Sequence, residues 1–111
     1  MRAVTRLLPA DIDLNDVAGA SGYLFVRDGV GVAGRGIAAR VPMSEVAHVL
    51  ASIERDDDVE QPGSGPIAIG VKPFRPDEEW ELVIPSVVVG KGPDGQRWVT
   101  RIDGADDPLI A

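Results

Sequence analysis

Apolar positions along this chain recur in short bursts separated by glycine and proline, a rhythm that predicts brief strands rather than long helices. Residues 22–27 (Gly-Tyr-Leu-Phe-Val-Arg) are aromatic and β-branched and read as a strand. Asp28-Gly29 follows as a tight hairpin turn. Residues 30–41 read as the returning strand, loosened by Gly31, Gly34 and Gly36 and ended by Pro42. Only one segment carries a helical period. Ser44 is placed to cap a helix over residues 45–55, where Val46, Val49, Leu50 and Ile53 fall on one face. The run Asp56-Asp57-Asp58 is expected to end that helix.

Beyond it, residues 67–71 form a buried apolar run, and residues 80–84 a strand that Pro85 interrupts, which marks an edge or a bend. Residues 87–89 continue extended. Gly92-Pro93-Asp94-Gly95 is a turn signal, and residues 96–102 alternate and close a second hairpin. The pattern gives an α+β fold: a largely antiparallel sheet of about six short strands with one covering helix. Residues 1–20 show no clean period and are expected to be a weakly ordered leader or a first strand. Residues 21–102 form the domain, and the acidic residues 103–111 a tail.

Composition narrows the function classes. A chain of 111 residues is one domain by length. It has no cysteine, which removes disulfides, thiolate metal sites and a cysteine nucleophile. The net charge of −7 opposes binding to a phosphate backbone, so no nucleic-acid partner is expected. No window approaches the roughly 18 apolar residues of a membrane span, and no secretory signal is read at the N-terminus. A cytoplasmic location is the expectation.

Candidate chemistry is sparse. Gly29, Gly31 and Gly34 match the dinucleotide-binding glycine spacing, but that motif needs a helix to open there, and Pro42 follows a strand-like run instead. His48 is the single histidine and falls off its helix's apolar stripe. Asp56, Asp57, Asp58 and Glu60 lack the alternate-position spacing of a calcium loop and read as a solvated helix end. Asp77, Glu78, Glu79 and Glu81 sit in a proline-flanked turn, where nothing separates their pKa values. Ser21, Ser44, Ser52, Ser64 and Ser86 have no nucleophile elbow around them. Trp80 and Trp98 read as core or hairpin aromatics. No catalytic, cofactor-binding or metal-ligating residue is assigned.

Four stretches carry a resemblance. They are Tyr23-Leu-Phe-Val-Arg-Asp-Gly-Val-Gly-Val-Ala-Gly34, Gly36-Ile-Ala-Ala-Arg40, Pro66-Ile-Ala-Ile-Gly-Val-Lys-Pro-Phe-Arg-Pro76 and Leu82-Val-Ile-Pro85. In this order they resemble the N-terminal part of isochorismate synthase, within the chorismate-utilising enzyme family. The third looks like that family's Gly-Ala-x-Pro-Phe-Asp-Pro turn, with Lys72 and Arg75 as departures, and the fourth like the strand ending in Ile-Pro. The likeness spans residues 22–102, about three-quarters of the chain.

The resemblance implies a front segment that packs beside a catalytic part. It also implies an isomerase of menaquinone or siderophore biosynthesis, dependent on Mg2+. The family's lysine base, magnesium carboxylates and chorismate pocket lie beyond the matched stretches. Val88-Val89-Gly90-Lys91 has the wrong order for the lysine motif. The chain alone is therefore expected to be inactive, either a truncated isomerase or one half of a split one whose second chain carries the catalytic part. The subfamily stays open between isochorismate, anthranilate and aminodeoxychorismate synthase. The other reading is a stand-alone, non-catalytic interaction module. It is motivated by residues 82–89, which would offer an open strand edge to a partner or to a second copy.

Overall fold

A computed structural model describes residues 1–9, 12–19, 22–27, 30–61, 64–71 and 79–105. Nine strands appear among them: β1 (Arg2–Leu7), β2 (Tyr23–Arg27), β3 (Val30–Arg35), β4 (Ala39–Pro42), β5 (Glu54–Asp57), β6 (Ile69–Val71), β7 (Glu81–Ile84), β8 (Val87–Lys91) and β9 (Arg97–Ile102). Two short helices, α1 (Leu14–Ala18) and α2 (Val46–Ser52), complete the described elements, with one turn of 3-10 helix (Met43–Glu45) leading into α2.

The strands form two sheets. Six are ordered β2-β3-β8-β9-β1-β5, and three are ordered β4-β7-β6. Every neighbouring pair is antiparallel except β1 with β5. The expected α+β class and mostly antiparallel pairing therefore hold, with more strands than the sequence pattern predicts.

Both faces of the six-stranded sheet are covered around its centre. On one face Leu14, Val17 and Ala18 of α1 pack on Ala33, Val87, Val89 and Val99. Asp13 starts that helix by accepting the Asn15 amide at 2.8 Å, which satisfies one of the donors a helix N-terminus leaves over. On the other face Ala3 and Ile102 meet Val41 and Ile84 of the smaller sheet, together with Ile53. The chain passes between sheets at Pro85-Ser86, where Ser86 Oγ donates to the Arg35 carbonyl at 3.3 Å. Of the edge or bend that Pro85 marks in the sequence, the structure has the bend, and Gly36, at φ 70°, makes the other passage, between β3 and β4.

Arg2–Leu7 form a first strand, one of the two alternatives for residues 1–20: β1 lies between β9 and β5, with Ala3 and Thr5 each 1% exposed. Other expectations are corrected. The helix expected over 45–55 is α-helical only over Val46–Ser52, and Ser44 does not cap it. The Ser44 amide sits in the preceding turn and donates instead to Glu79 Oε1 at 2.6 Å. The apolar stripe does face inward, since Val46, Val49 and Leu50 pack against the cluster holding Ile53.

The acidic run does not end a helix. Asp56 and Asp57 belong to β5, which pairs in parallel with β1 in the register Val4↔Asp56 and Thr5↔Asp57. The physical reason is the other side of β1: β9 occupies one edge, and β5 takes up the backbone donors and acceptors on the second. Residues 30–41 split into β3 and β4, in different sheets. Trp80 is 42% exposed and stands outside the core, whereas Trp98 is 1% exposed.

Residues 82–89 do not form an open edge. β7 is the middle strand of its sheet, and β8 lies between β3 and β9. Among the described strands, the outer one of the large sheet on that side is β2, where Leu24, Phe25 and Val26 are all exposed. The Asp28-Gly29 turn and Lys72, Arg75, Asp77 and Glu78 lie outside the described residues.

Candidate functional site

The hairpin of β8 and β9 brings two cations together. Lys91 pairs directly with Arg97 across the ladder, so both side chains leave the same face of the sheet. That face is the one α1 covers, and the segment leading into α1 crosses beside them. The Arg97 Nε donates to the Ile12 carbonyl at 2.9 Å, and its Nη1 to the Gly95 carbonyl at 3.2 Å. These bonds tie the guanidinium to the entry of α1 on one side and to the hairpin turn on the other. The turn itself is held by the Gly92 amide donating to the Gln96 carbonyl at 2.9 Å.

The result is a cleft of 380 Å3 lined by Ile12, Asp13, Leu14, Asn15, Val26, Lys91 and Arg97. Asp13 Oδ1 accepts from the Asn15 amide at 2.8 Å and from Asn15 Nδ2 at 3.0 Å. These two bonds, and then the nearby Arg97 and Lys91 charges, hold its carboxyl below the ordinary carboxylate range. Among the described residues that line it, the cleft has the cations Lys91 and Arg97, the carboxylate of Asp13, and apolar wall from Ile12, Leu14 and Val26.

The residues weighed from sequence do not converge. His48 is exposed on α2. Gly31 and Gly34 lie within β3, and the next described elements are β4 and the 3-10 turn, so no helix opens at the glycine motif. Glu79 accepts from Ser44, which lowers its pKa, and Glu81 pairs with Arg40 at 2.9 Å on the exposed side of the small sheet. Ser52 donates to the Val49 carbonyl at 2.7 Å. Ser64 Oγ lies 2.6 Å from Asp57 Oδ2 with no histidine beside it, so no nucleophile and base are paired.

The acidic strand serves the fold. Arg6 Nη2 meets Asp56 at 2.7 Å and Arg6 Nε meets Asp58 at 3.3 Å, with Arg2 at 3.8 Å from Asp56. The hydrogen bond from Arg6 and its charge lower the Asp56 pKa. For Asp57, partial burial pushes upward. Hydrogen bonds from Ser64 and from the amides of Glu60 and Val59 outweigh it and bring the pKa down. Among the described residues, no group of three or more His, Asp or Glu is placed to hold a metal ion. Nor is any helix there long and apolar enough to cross a membrane.

Sequence reasoning missed the cleft. The turn at residues 92–95 already implied that Lys91 and Arg97 face each other across a hairpin. Nothing in the sequence announced that residues 12–15 would cross beside them. No protein-family model, no curated protein and no solved structure matches the chain.

Proposed function

We propose that this chain is the front domain of an isochorismate synthase-like protein, inactive alone and completed by a second chain that carries the catalytic part. The observation behind the reading is the ordered motif string. Its support is that the stretches fall on strands that belong together. Residues 23–34 span β2 and β3, and residues 36–40 run into β4. Residues 66–71 run into β6, and Leu82, Val83 and Ile84 lie in β7 with Pro85 just after. Three of the four stretches thus supply the adjacent strands β4, β7 and β6.

In this reading the chain contributes scaffold rather than chemistry. Isomerisation of chorismate needs a base, a magnesium clamp and a dry pocket. The resemblance places the family's magnesium carboxylates beyond the matched stretches, so in this reading the cation belongs with the second chain. The test is chorismate conversion with Mg2+ by the purified chain, by a chorismate-binding catalytic chain, and by the two mixed. Conversion only in the mixture is the expected result. Turnover by this chain alone, or a mixture no better than the catalytic chain, overturns the proposal.

A second reading, a stand-alone interaction module, is favoured by one observation. The outer strand β2 exposes Leu24, Phe25 and Val26 beside a backbone edge that no described strand pairs, the arrangement that strand addition uses. In that reading the partner is another chain or a second copy adding to β2. A monomer by size exclusion at high concentration, with no shift on adding candidate partners, counts against it.

A further inference from the structure

We propose that Asp103-Gly104 is a site of spontaneous isoaspartate formation, a covalent modification that marks the domain with age and loosens the end of β1. The inference rests on one turn and stands apart from both readings of function.

The chemistry is intramolecular. The Gly104 nitrogen bonds to Cγ of Asp103, its proton leaves, and one carboxyl oxygen departs as water, closing a succinimide ring. Water then opens the ring. Opening at the main-chain carbonyl leaves the chain running through the Asp103 side chain, with a free carboxylate on Cα. One water is lost and one is taken up, so solvent is the sole co-reactant. Glycine after the aspartate favours the step, because no Cβ crowds the approach of its nitrogen.

Asp94-Gly95 and Asp103-Gly104 both lie among the described residues, and their turns differ at the attacking nitrogen. The Gly95 amide donates to the Gly92 carbonyl at 3.1 Å, and Asp94 Oδ1 accepts the Gln96 amide at 3.0 Å. Nitrogen and carboxylate are both held there. The Gly104 amide, in contrast, donates no hydrogen bond among the described residues. Asp103 and Gly104 are exposed, and a Cβ built on Gly104 meets nothing within 4 Å, so the ring has room to close. Asp103 has φ 52°, a strained conformation for a residue with a Cβ, which lowers the cost of opening this turn.

The Asp103 carboxylate is engaged by one amide, as that of Asp94 is: Oδ1 accepts from the Arg2 amide at 2.8 Å. The Asp103 amide donates in turn to the Arg2 carbonyl at 2.8 Å. Together these bonds close the β1–β9 ladder beyond the Ala3↔Ile102 pair. Isomerisation inserts a methylene into the main chain and takes the carboxylate away from the Arg2 amide. What separates the two sites is the bond at the Gly95 nitrogen, and a hydrogen bond of ordinary net strength that must open first slows attack by about fivefold.

The experiment ages the full chain in neutral buffer made with heavy-oxygen water, then digests it with trypsin in ordinary water. Trypsin cuts after Lys91, Arg97 and Arg101, so Asp94 and Asp103 fall in different peptides. Tandem mass spectrometry locates the heavy oxygen at each aspartate. Uptake at Asp103 at about five times the rate at Asp94 is expected in the folded chain. In urea, where neither turn exists, the two rates are expected to converge. Uptake at Asp94 as fast as at Asp103 in the folded chain overturns the proposal. So does a ratio that urea leaves unchanged, since neighbouring sequence rather than the turn would then set it.

Discussion

Gly90→Ala is the substitution that most directly tests how the hairpin is packed. Gly90 sits opposite Trp98 in the β8–β9 ladder, and the Trp98 indole lies across the glycine. A Cβ built on Gly90 falls 2.2 Å from both Cε2 and Nε1 of that ring and 2.5 Å from Cζ2. Carbon atoms in contact sit about 3.5–4 Å apart, so the ring must retreat by more than 1 Å or the strands must separate. Retreat is hard, because Trp98 is 1% exposed and packed on every side. Overpacking of this kind costs about 1–3 kcal/mol, and an overlap this deep with a rigid indole belongs at the upper end. Replacing glycine in a strand returns roughly 0.5–1 kcal/mol of backbone entropy. The net expectation is a loss of about 2 kcal/mol, or roughly 8 °C in Tm for a domain of this size.

The assay is thermal unfolding by far-UV circular dichroism, with Trp98 emission read in a Trp80→Phe background. A red shift is expected as the ring is pushed from its site. Two glycines act as controls. A Cβ at Gly70 would meet the Trp80 ring at 3.5 Å, an ordinary contact, so Gly70→Ala should stay within about 0.5 kcal/mol. Gly95 has φ 82° and nothing within 4 Å, so Gly95→Ala isolates the left-handed backbone penalty of about 1–2 kcal/mol. A Gly90→Ala variant with unchanged Tm and unchanged emission would refute the packing argument outright.

Three further outcomes follow from the same structure. Val17 of α1 is fully buried against the large sheet, so Val17→Ala removes two methyl groups and leaves a cavity, costing about 2 kcal/mol by denaturant unfolding. Thr5 Oγ1 lies 2.7 Å from Thr100 Oγ1 and accepts the Gly65 amide at 3.2 Å, all in the interior. Thr5→Val strands both partners and should cost about 1–3 kcal/mol, with Thr5→Val/Thr100→Val less damaging than the sum of the singles. Asp56 has a folded-state pKa lowered from 3.8 by Arg6, so its contribution is complete above that value and is lost as pH falls through the lowered one. Asp56→Asn should therefore flatten part of the acid limb of stability against pH while leaving the limb near neutrality parallel to wild type.

How much of this was legible in the sequence depends on how local each signal is. The hairpin at residues 92–95, the bend at Pro85, and the strands before and after each are written in turn chemistry, and the structure has them. The apolar stripe of Val46, Val49, Leu50 and Ile53 does mark the inward face of its segment. What failed is the far end of that helix. Ile53 extends the stripe, yet its backbone is already extended, at ψ 122°, and Glu54 begins a strand. Three successive aspartates have little intrinsic tendency to form strands. Tertiary context overrides that weak preference, because β1 offers an edge and Arg2 and Arg6 offer charges for Asp56 and Asp58. Neither β1 nor its arginines carried a period that could have announced this.

The same limitation explains the cleft and the edges. Lys91 and Arg97 could be paired from the turn between them, but Asp13 reaches them only through the packing of α1 on Ala33, Val87, Val89 and Val99. Likewise, the run at residues 82–89 is apolar because it is interior, not because it is an open edge. The two outer strands of the large sheet then differ in chemistry. β5 presents Glu54, Asp56 and Asp57, and charge on an outer strand discourages a further strand from adding there. β2 presents Leu24, Phe25 and Val26 in succession, all exposed. A strand arriving from another chain meets repulsion at one end of this sheet and apolar surface at the other. Leu24→Lys/Val26→Lys, which gives β2 the charged character of β5, is therefore expected to abolish any association of this domain while leaving its Tm within about 2–3 °C of wild type, because both side chains are exposed, at 39% and 47%, and a lysine stem can cover the same surface with its charge in water. Association that persists in that variant would place the contact elsewhere on the surface.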